Sequence, residues 1–156
     1  AEQAGVLHAA WHLAATIADC FGMIAPLDSQ ALNARHIIES YRMDRFCIGI
    51  KAINTYEVGD LMSYHDLLVE RMVAVGKELI AEGAHAIIPL GARLVPYVVS
   101  PLELEAELKV PVINTELVGI RCAETLVLGK TSHSIKSYPW AEGLAPENVS
   151  RRAESR

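Results

Sequence analysis

With 156 residues, 51% of them hydrophobic and 21% charged, the sequence has the length and apolar content of one ordinary domain with a core, which excludes a disordered chain and a pair of complete domains. Fourteen Lys and Arg against 19 Asp and Glu give a net charge of −5, and no internal basic run offers the footprint that phosphate backbones need, so no nucleic-acid partner is expected. Cys20, Cys47 and Cys122 are odd in number and lack CxxC spacing, which speaks against a disulfide framework or a structural zinc and for a reducing, cytoplasmic compartment. The apolar runs are broken by His, Asp, Pro or Gly well short of a membrane span, and no basic stretch followed by an apolar one opens the sequence, so neither a membrane partner nor a leader is expected.

In chain order, residues 3–18 are Ala-rich and repeat Val6, Leu7, Leu13 and Ile17 on one helical face, which predicts a helix. CFGMIAPL predicts a strand ending at Pro26, and Asp28 or Ser29 is available to cap a helix over residues 30–42. RFCIGIKAI, residues 45–53, reads as a second strand, with Asn54–Asp60 as a loop. Ser63-x-x-Asp66 has the form of a capping box before a long amphipathic helix that Gly83 stops. AHAIIPL, residues 84–90, is a continuous apolar run of the kind buried on both faces, and Gly91 ends it. A short acidic helix at 101–108, a fourth strand at VPVIN (110–114) and a helix from about 116 to 128, closed by Gly129, complete the pattern. Residues 130–156 lack periodicity and read as an extended tail.

Strands separated by single helices predict a parallel four-stranded α/β sheet with helices on both faces, a Rossmann-like lobe, because right-handed crossovers are nearly the only way to connect such strands. The expected layout is a crossover helix over 1–18, the lobe over 19–129 and a tail over 130–156. Ligands of such sheets bind beyond the carboxyl ends of the strands, which here are Ala25–Ser29, Asn54–Tyr56, Gly91–Leu94 and Asn114–Glu116.

Several groups are candidates for chemistry. His8 and His12 share a helix face at the spacing of a metal-binding pair, but neither the Glu of HExxH nor a third ligand accompanies them, so no metal is expected. LGARL, residues 90–94, places backbone N–H groups and Arg93 where a small carboxylate could be cradled; alternatively Gly91 only makes the turn and Arg93 meets solvent. Asp28 and Ser29 also serve as caps, and Asn114 and Thr115 as turn formers. The three cysteines fall at a strand start, within a strand and in mid-helix, positions of small buried hydrophobes more than of activated thiolates. His133 and Tyr138 are close together in the tail. No Ser-His-Asp signature, GxGxxG or phosphate loop is present, and no cofactor is expected. The substrate-binding candidates are Pro26, Ser29, Gly91, Ala92, Arg93 and Asn114.

Taken together, EQAGVLHAAWHLAATIADCFGMIAPLD, EGAHAIIPLGARL and VPVINTELVGIRCAETLVLGKTSHSIKSYP resemble the crossover helix, the Gly-Cys-Thr turn strand and the closing segment of the aspartate/glutamate/hydantoin racemase superfamily, most closely its hydantoin racemase branch. The resemblance covers residues 4 to about 140. It implies two α/β lobes with the site between them and one cysteine from each lobe on opposite faces of the substrate carbon. Inverting a stereocentre needs a base on one face and an acid on the other, and a thiol of lowered pKa suits both roles.

The sequence departs from that pattern twice. The resemblance begins at the crossover helix, so the lobe supplying the first cysteine is not among these 156 residues, and Ala92 stands where the second cysteine is expected, followed by Arg93 in place of Thr. Three readings follow. One is a racemase-superfamily protein that handles a small carboxylate or hydantoin-like molecule without acting as a two-cysteine racemase. Another is a related decarboxylase or isomerase of a small diacid, and the last is a non-catalytic module that binds a small acid or a protein. The surface left by the absent lobe predicts a homo-oligomer or a complex.

Overall fold

The computed structural model describes residues 2–55, 61–91 and 94–139. The chain divides into two compact units, Ala1–Cys122 and Ala123–Arg156. In chain order the elements are α1 (Glu2–Ile17), β1 (Phe21–Ala25), α2 (Asp28–Ser40), β2 (Cys47–Ala52), α3 (His65–Ala81), β3 (Ile87–Pro89), α4 (Pro101–Leu108) and α5 (Thr115–Leu128), with short 3-10 turns at Asp44–Phe46 and Leu61–Tyr64.

The first unit holds a parallel sheet of order β2-β1-β3. The central strand β1 is buried along its whole length, as its unbroken apolar run requires. Its side chains alternate between two cores. Ile24 joins Leu68, Met72, Leu79 and Leu104 on one face, whereas Phe21, Met23 and Ala25 join Trp11, Ala14, Ala34 and Ile38 on the other. In β3 and its flanks, Ile87 faces the first core and Ala86, Ile88 and Leu90 the second. A register shift between Phe21/Gly22 and Cys47/Gly49 leaves Ile48 unpaired on β2, and its side chain is exposed. At Gly22 the sheet touches α3 so closely that a Cβ would lie 2.9 Å from the Leu79 Cβ.

The expected fourth strand is a correction: among the described residues the sheet has three strands, and the VPVIN segment adds a single parallel bridge, Ile87 to Val112. The hydrogen bonds explain the stop. Ile87 N–H donates to the Pro111 carbonyl and Ile113 N–H to the Ile87 carbonyl, both at 2.9 Å. The next rung of a parallel ladder would need an N–H from residue 89, and Pro89 has none.

One expected cap is also corrected: the N-cap of α2 is Leu27, with no side-chain cap bond, so neither Asp28 nor Ser29 fills the role. Instead Asn54, at the end of β2, reaches across to α2: its Oδ1 accepts the Asp28 N–H at 3.2 Å and its Nδ2 donates to Asp28 Oδ2 at 3.1 Å. Asn54 holds a left-handed φ of 50°, which Asn tolerates better than most residues. Asn114 does cap α5, its Oδ1 accepting the Leu117 N–H at 3.1 Å.

The second unit carries the end of α5, terminated by the Thr131 N–H bond to the Leu126 carbonyl with Lys130 left-handed, and a turn at 135–138. His133 and Tyr138 stack edge to face at 5.0 Å. The remainder of the expected tail, residues 140–156, lies outside the described residues.

Candidate functional site

At the carboxyl ends of β1 and β3 lies a cavity of about 280 Å³, roughly the room a small ring compound needs. Val6 and Leu7 of α1 form one wall, and Gln30, Asn33, Ala34 and Ile37 of α2 form another. Leu90 and Gly91 close it from the end of β3, and Thr115 and Glu116 from the first turn of α5. One side of α2, the first turn of α5 and the end of a parallel strand thus converge on one mainly apolar space beyond the strand ends, the region where doubly wound sheets hold ligands.

Gly91 is where the backbone is most constrained. Its φ of +85° is a left-handed value, and a Cβ there would stand 3.0 Å from Pro26 Cγ, so both conformation and space select glycine. Its carbonyl accepts the Leu94 N–H at 2.9 Å and starts the turn over 94–99. On that turn, the interaction with the Glu116 carboxylate raises the Tyr97 phenol above its ordinary value.

Of the predicted site residues, Gly91 lines the cavity and the buried Pro26 packs beneath it. Ser29 is exposed on the first turn of α2, and Asn114 spends its side-chain oxygen on the α5 cap. Ala92 and Arg93, like Tyr56, lie outside the described residues. Gln30, Asn33 and Glu116 were missed as individual ligand candidates. The strand-end rule named Thr115 and Glu116 within a segment, but nothing local marks Gln30 or Asn33, which look like ordinary polar helix residues.

None of the three cysteines lines this cavity. Cys20 Sγ bonds the Gly83 carbonyl at 3.0 Å, Cys122 is exposed on α5, and burial pushes the Cys47 thiol up to about 11, so it stays protonated at neutral pH. His8 and His12 stack at 4.4 Å, and His8 also meets Tyr41 at 4.5 Å. Burial, with His12 nearby, lowers the His8 pKa, and His12 Nδ1 is engaged by the His8 carbonyl at 2.9 Å. Among the described residues no group of three or more His, Cys, Asp or Glu side chains is placed to hold a metal ion. A second, shallower space lies at the amino ends of the strands, where His85 Nδ1 stands 3.7 Å from Asp19 Oδ2. No described helix is long and apolar enough to cross a membrane.

Fold and cavity together give a parallel α/β lobe with a mainly apolar cavity at its strand ends. No family model matches the chain. The sequence is 29% identical over 140 residues to a hydantoin racemase from Pseudomonas sp. strain NS671, an alignment covering 88% of this chain and 55% of the relative. The structure is similar to the allantoin racemase from Pseudomonas fluorescens, with a TM-score of 0.79 at 18% identity over 88% of this chain and 57% of the other. It is also similar to that from Klebsiella pneumoniae, with a TM-score of 0.69 at 24% identity over 93% and 59%. The resemblance to the aspartate/glutamate/hydantoin racemase superfamily read from the sequence is thereby borne out. The chain spans a little over half the length of each relative.

Proposed function

We propose that the chain forms one lobe of a racemase-type small-molecule site. It binds a small carboxylate or a hydantoin-like cyclic amide at the carboxyl ends of β1 and β3, and does not by itself act as a two-cysteine racemase. The observation that carries this reading is the cavity bounded by Gly91, one side of α2 and the first turn of α5, in a chain similar in sequence to a hydantoin racemase. The absence of Cys20, Cys47 and Cys122 from that cavity, with Ala92 at the position expected for a cysteine, supports binding without two-base proton transfer. Exposed Leu13 and Ile17 on α1 support association with a second lobe or another copy of the chain, in the cytoplasm that the free thiols suggest.

Incubation with a single enantiomer of a 5-substituted hydantoin in deuterated water tests the reading. The expected result is saturable binding without exchange of the α-proton above the buffer rate. Exchange that follows the protein concentration would overturn the inactive reading, and absence of binding would overturn the site. Ala92→Cys alone is expected to give no two-way racemisation, because only one face of the carbon would be served.

A further inference from the structure

Resting on the reading of the cavity as a small-molecule site, we infer that His8 is a proton-operated latch on its α1 wall: the neutral imidazole keeps Val6 and Leu7 closed over the cavity, and the charged imidazolium releases them. That wall is held at two points. At the first, Val6 lies against α5 so closely that a Cβ on Gly119 would stand 3.2 Å from Val6 Cγ2. At the second, His8 packs on Tyr41, the C-cap of α2, with ring centroids 4.5 Å apart. The Tyr41 N–H donates to the Ile37 carbonyl at 3.2 Å, and Ile37 lines the cavity with Val6 and Leu7. The ring contact therefore joins α1 to α2 one residue beyond the wall.

His8 is half-buried, so charging it where it sits costs solvation. Two titratable groups face it, the His12 imidazole of its own helix, with ring centroids 4.4 Å apart, and the Tyr41 phenol of α2. A carbonyl only accepts, so His12 Nδ1 donates to the His8 carbonyl at 2.9 Å, and this bond keeps the second imidazole beside the first. Burial first and His12 second lower the His8 pKa, and no carboxylate contributes. The charge regains water by lifting off the Tyr41 ring, and the first turns of α1 go with it. Trp11 is the anchor that stays, fully buried with its Nε1 donating to Met23 Sδ at 3.3 Å. Because the folded pKa lies below the ordinary 6.5, closure is fully supported above 6.5 and is lost as pH falls through the lowered value.

Amide hydrogen exchange and calorimetry on the full 156-residue chain, at about pH 7.5 and about pH 5.0, test the inference. Without ligand, the amides of residues 6–9 are expected to lose protection by about threefold or more at the lower pH, relative to those of β1 and after correction for intrinsic rates. A 5-substituted hydantoin, neutral over this range, is expected to bind about threefold or more weakly at the lower pH, and by reciprocity to lower the His8 pKa further, read from the ring proton by NMR. His8→Phe keeps a ring on Tyr41 and removes the titration, so both pH effects should vanish; His12→Gln removes the neighbouring imidazole and should move both to higher pH. Unchanged exchange at residues 6–9, with the charged ring held on Tyr41 as a cation–π pair, overturns the latch and leaves the cavity reading standing. Effects that persist in His8→Phe overturn the role of His8, and where that variant fails to fold, a His8 titration that ligand does not shift does the same. No binding at either pH removes the cavity reading and the latch with it.

Discussion

The two faces of one sheet are packed from different materials. Toward α3 and α4 the core is built of Leu, Ile, Val and Met, and it is tight enough that Leu79 lies against the backbone of Gly22 and Leu108 against that of Gly76. Toward α1 and α2 the core is built of alanines, among them Ala10, Ala14, Ala34 and Ala86, around Trp11 and Phe21. Small side chains let helices approach at some levels and leave volume unfilled at others, and the cavity opens beside Ala34 and Leu90 on this second face. The closed face fixes the lobe, and the alanine face leaves room for a ligand.

Substitutions of opposite sense on the two faces test that difference. Leu79→Ala, in the closed core, is expected to cost about 2–5 kcal/mol in denaturant unfolding, through lost burial and a cavity with no room to collapse. Enlarging an alanine should separate the faces more sharply. Ala84→Leu overpacks the closed core and is expected to cost about 1–3 kcal/mol, whereas Ala34→Leu enters existing space, changes stability by less than about 0.5 kcal/mol and abolishes ligand binding. Equal costs at the two sites would mean that the faces do not differ in packing.

The Asn54 cap comes next in size. Asn54→Ala is expected to cost about 1–2 kcal/mol by removing the bonds to Asp28 and with them the polar side chain that eases a left-handed φ, and Asn54→Gly should recover the backbone share. The smallest effect belongs to His65, on the closed side, whose ring nitrogens meet Asp66 at 2.9 Å and Glu103 at 3.1 Å. Its bonds to the Asp66 and Glu103 carboxylates raise its pKa above the ordinary 6.5, so their stabilisation is fully present below that value and fades as pH climbs through the raised one. His65→Gln should therefore lower the melting temperature more at about pH 5.5 than at about pH 8.5, and an equal loss at both would assign His65 a packing role only.

The α/β lobe was legible because hydrophobic period and turn residues are local signals: the unbroken run of β1, the face of α3 and the left-handed Gly91 all stand in short stretches of sequence. The fourth strand was overread because the apolar run at 110–114 says nothing of its neighbour, and Pro89 on β3 withholds the rung that would extend it. The cap of α2 was invisible for the same reason: Asn54 reaches Asp28 across 26 positions only once β1 and β2 are paired. For the site, the strand-end rule led to Gly91, whose cavity also takes in Thr115 and Glu116. Gln30 and Asn33 stayed hidden because the cavity is defined by volume that neighbouring alanines leave empty.

The most direct measurement is an amide-resolved NMR titration of the chain with a 5-substituted hydantoin. Saturable shifts concentrated at Gln30, Ala34, Gly91, Thr115 and Glu116, with the amides of Asp19 and His85 at the opposite end of the sheet unmoved, are the predicted result. Shifts centred on Asp19 and His85, or none at saturating ligand, would contradict the assignment of the alanine face as the binding side.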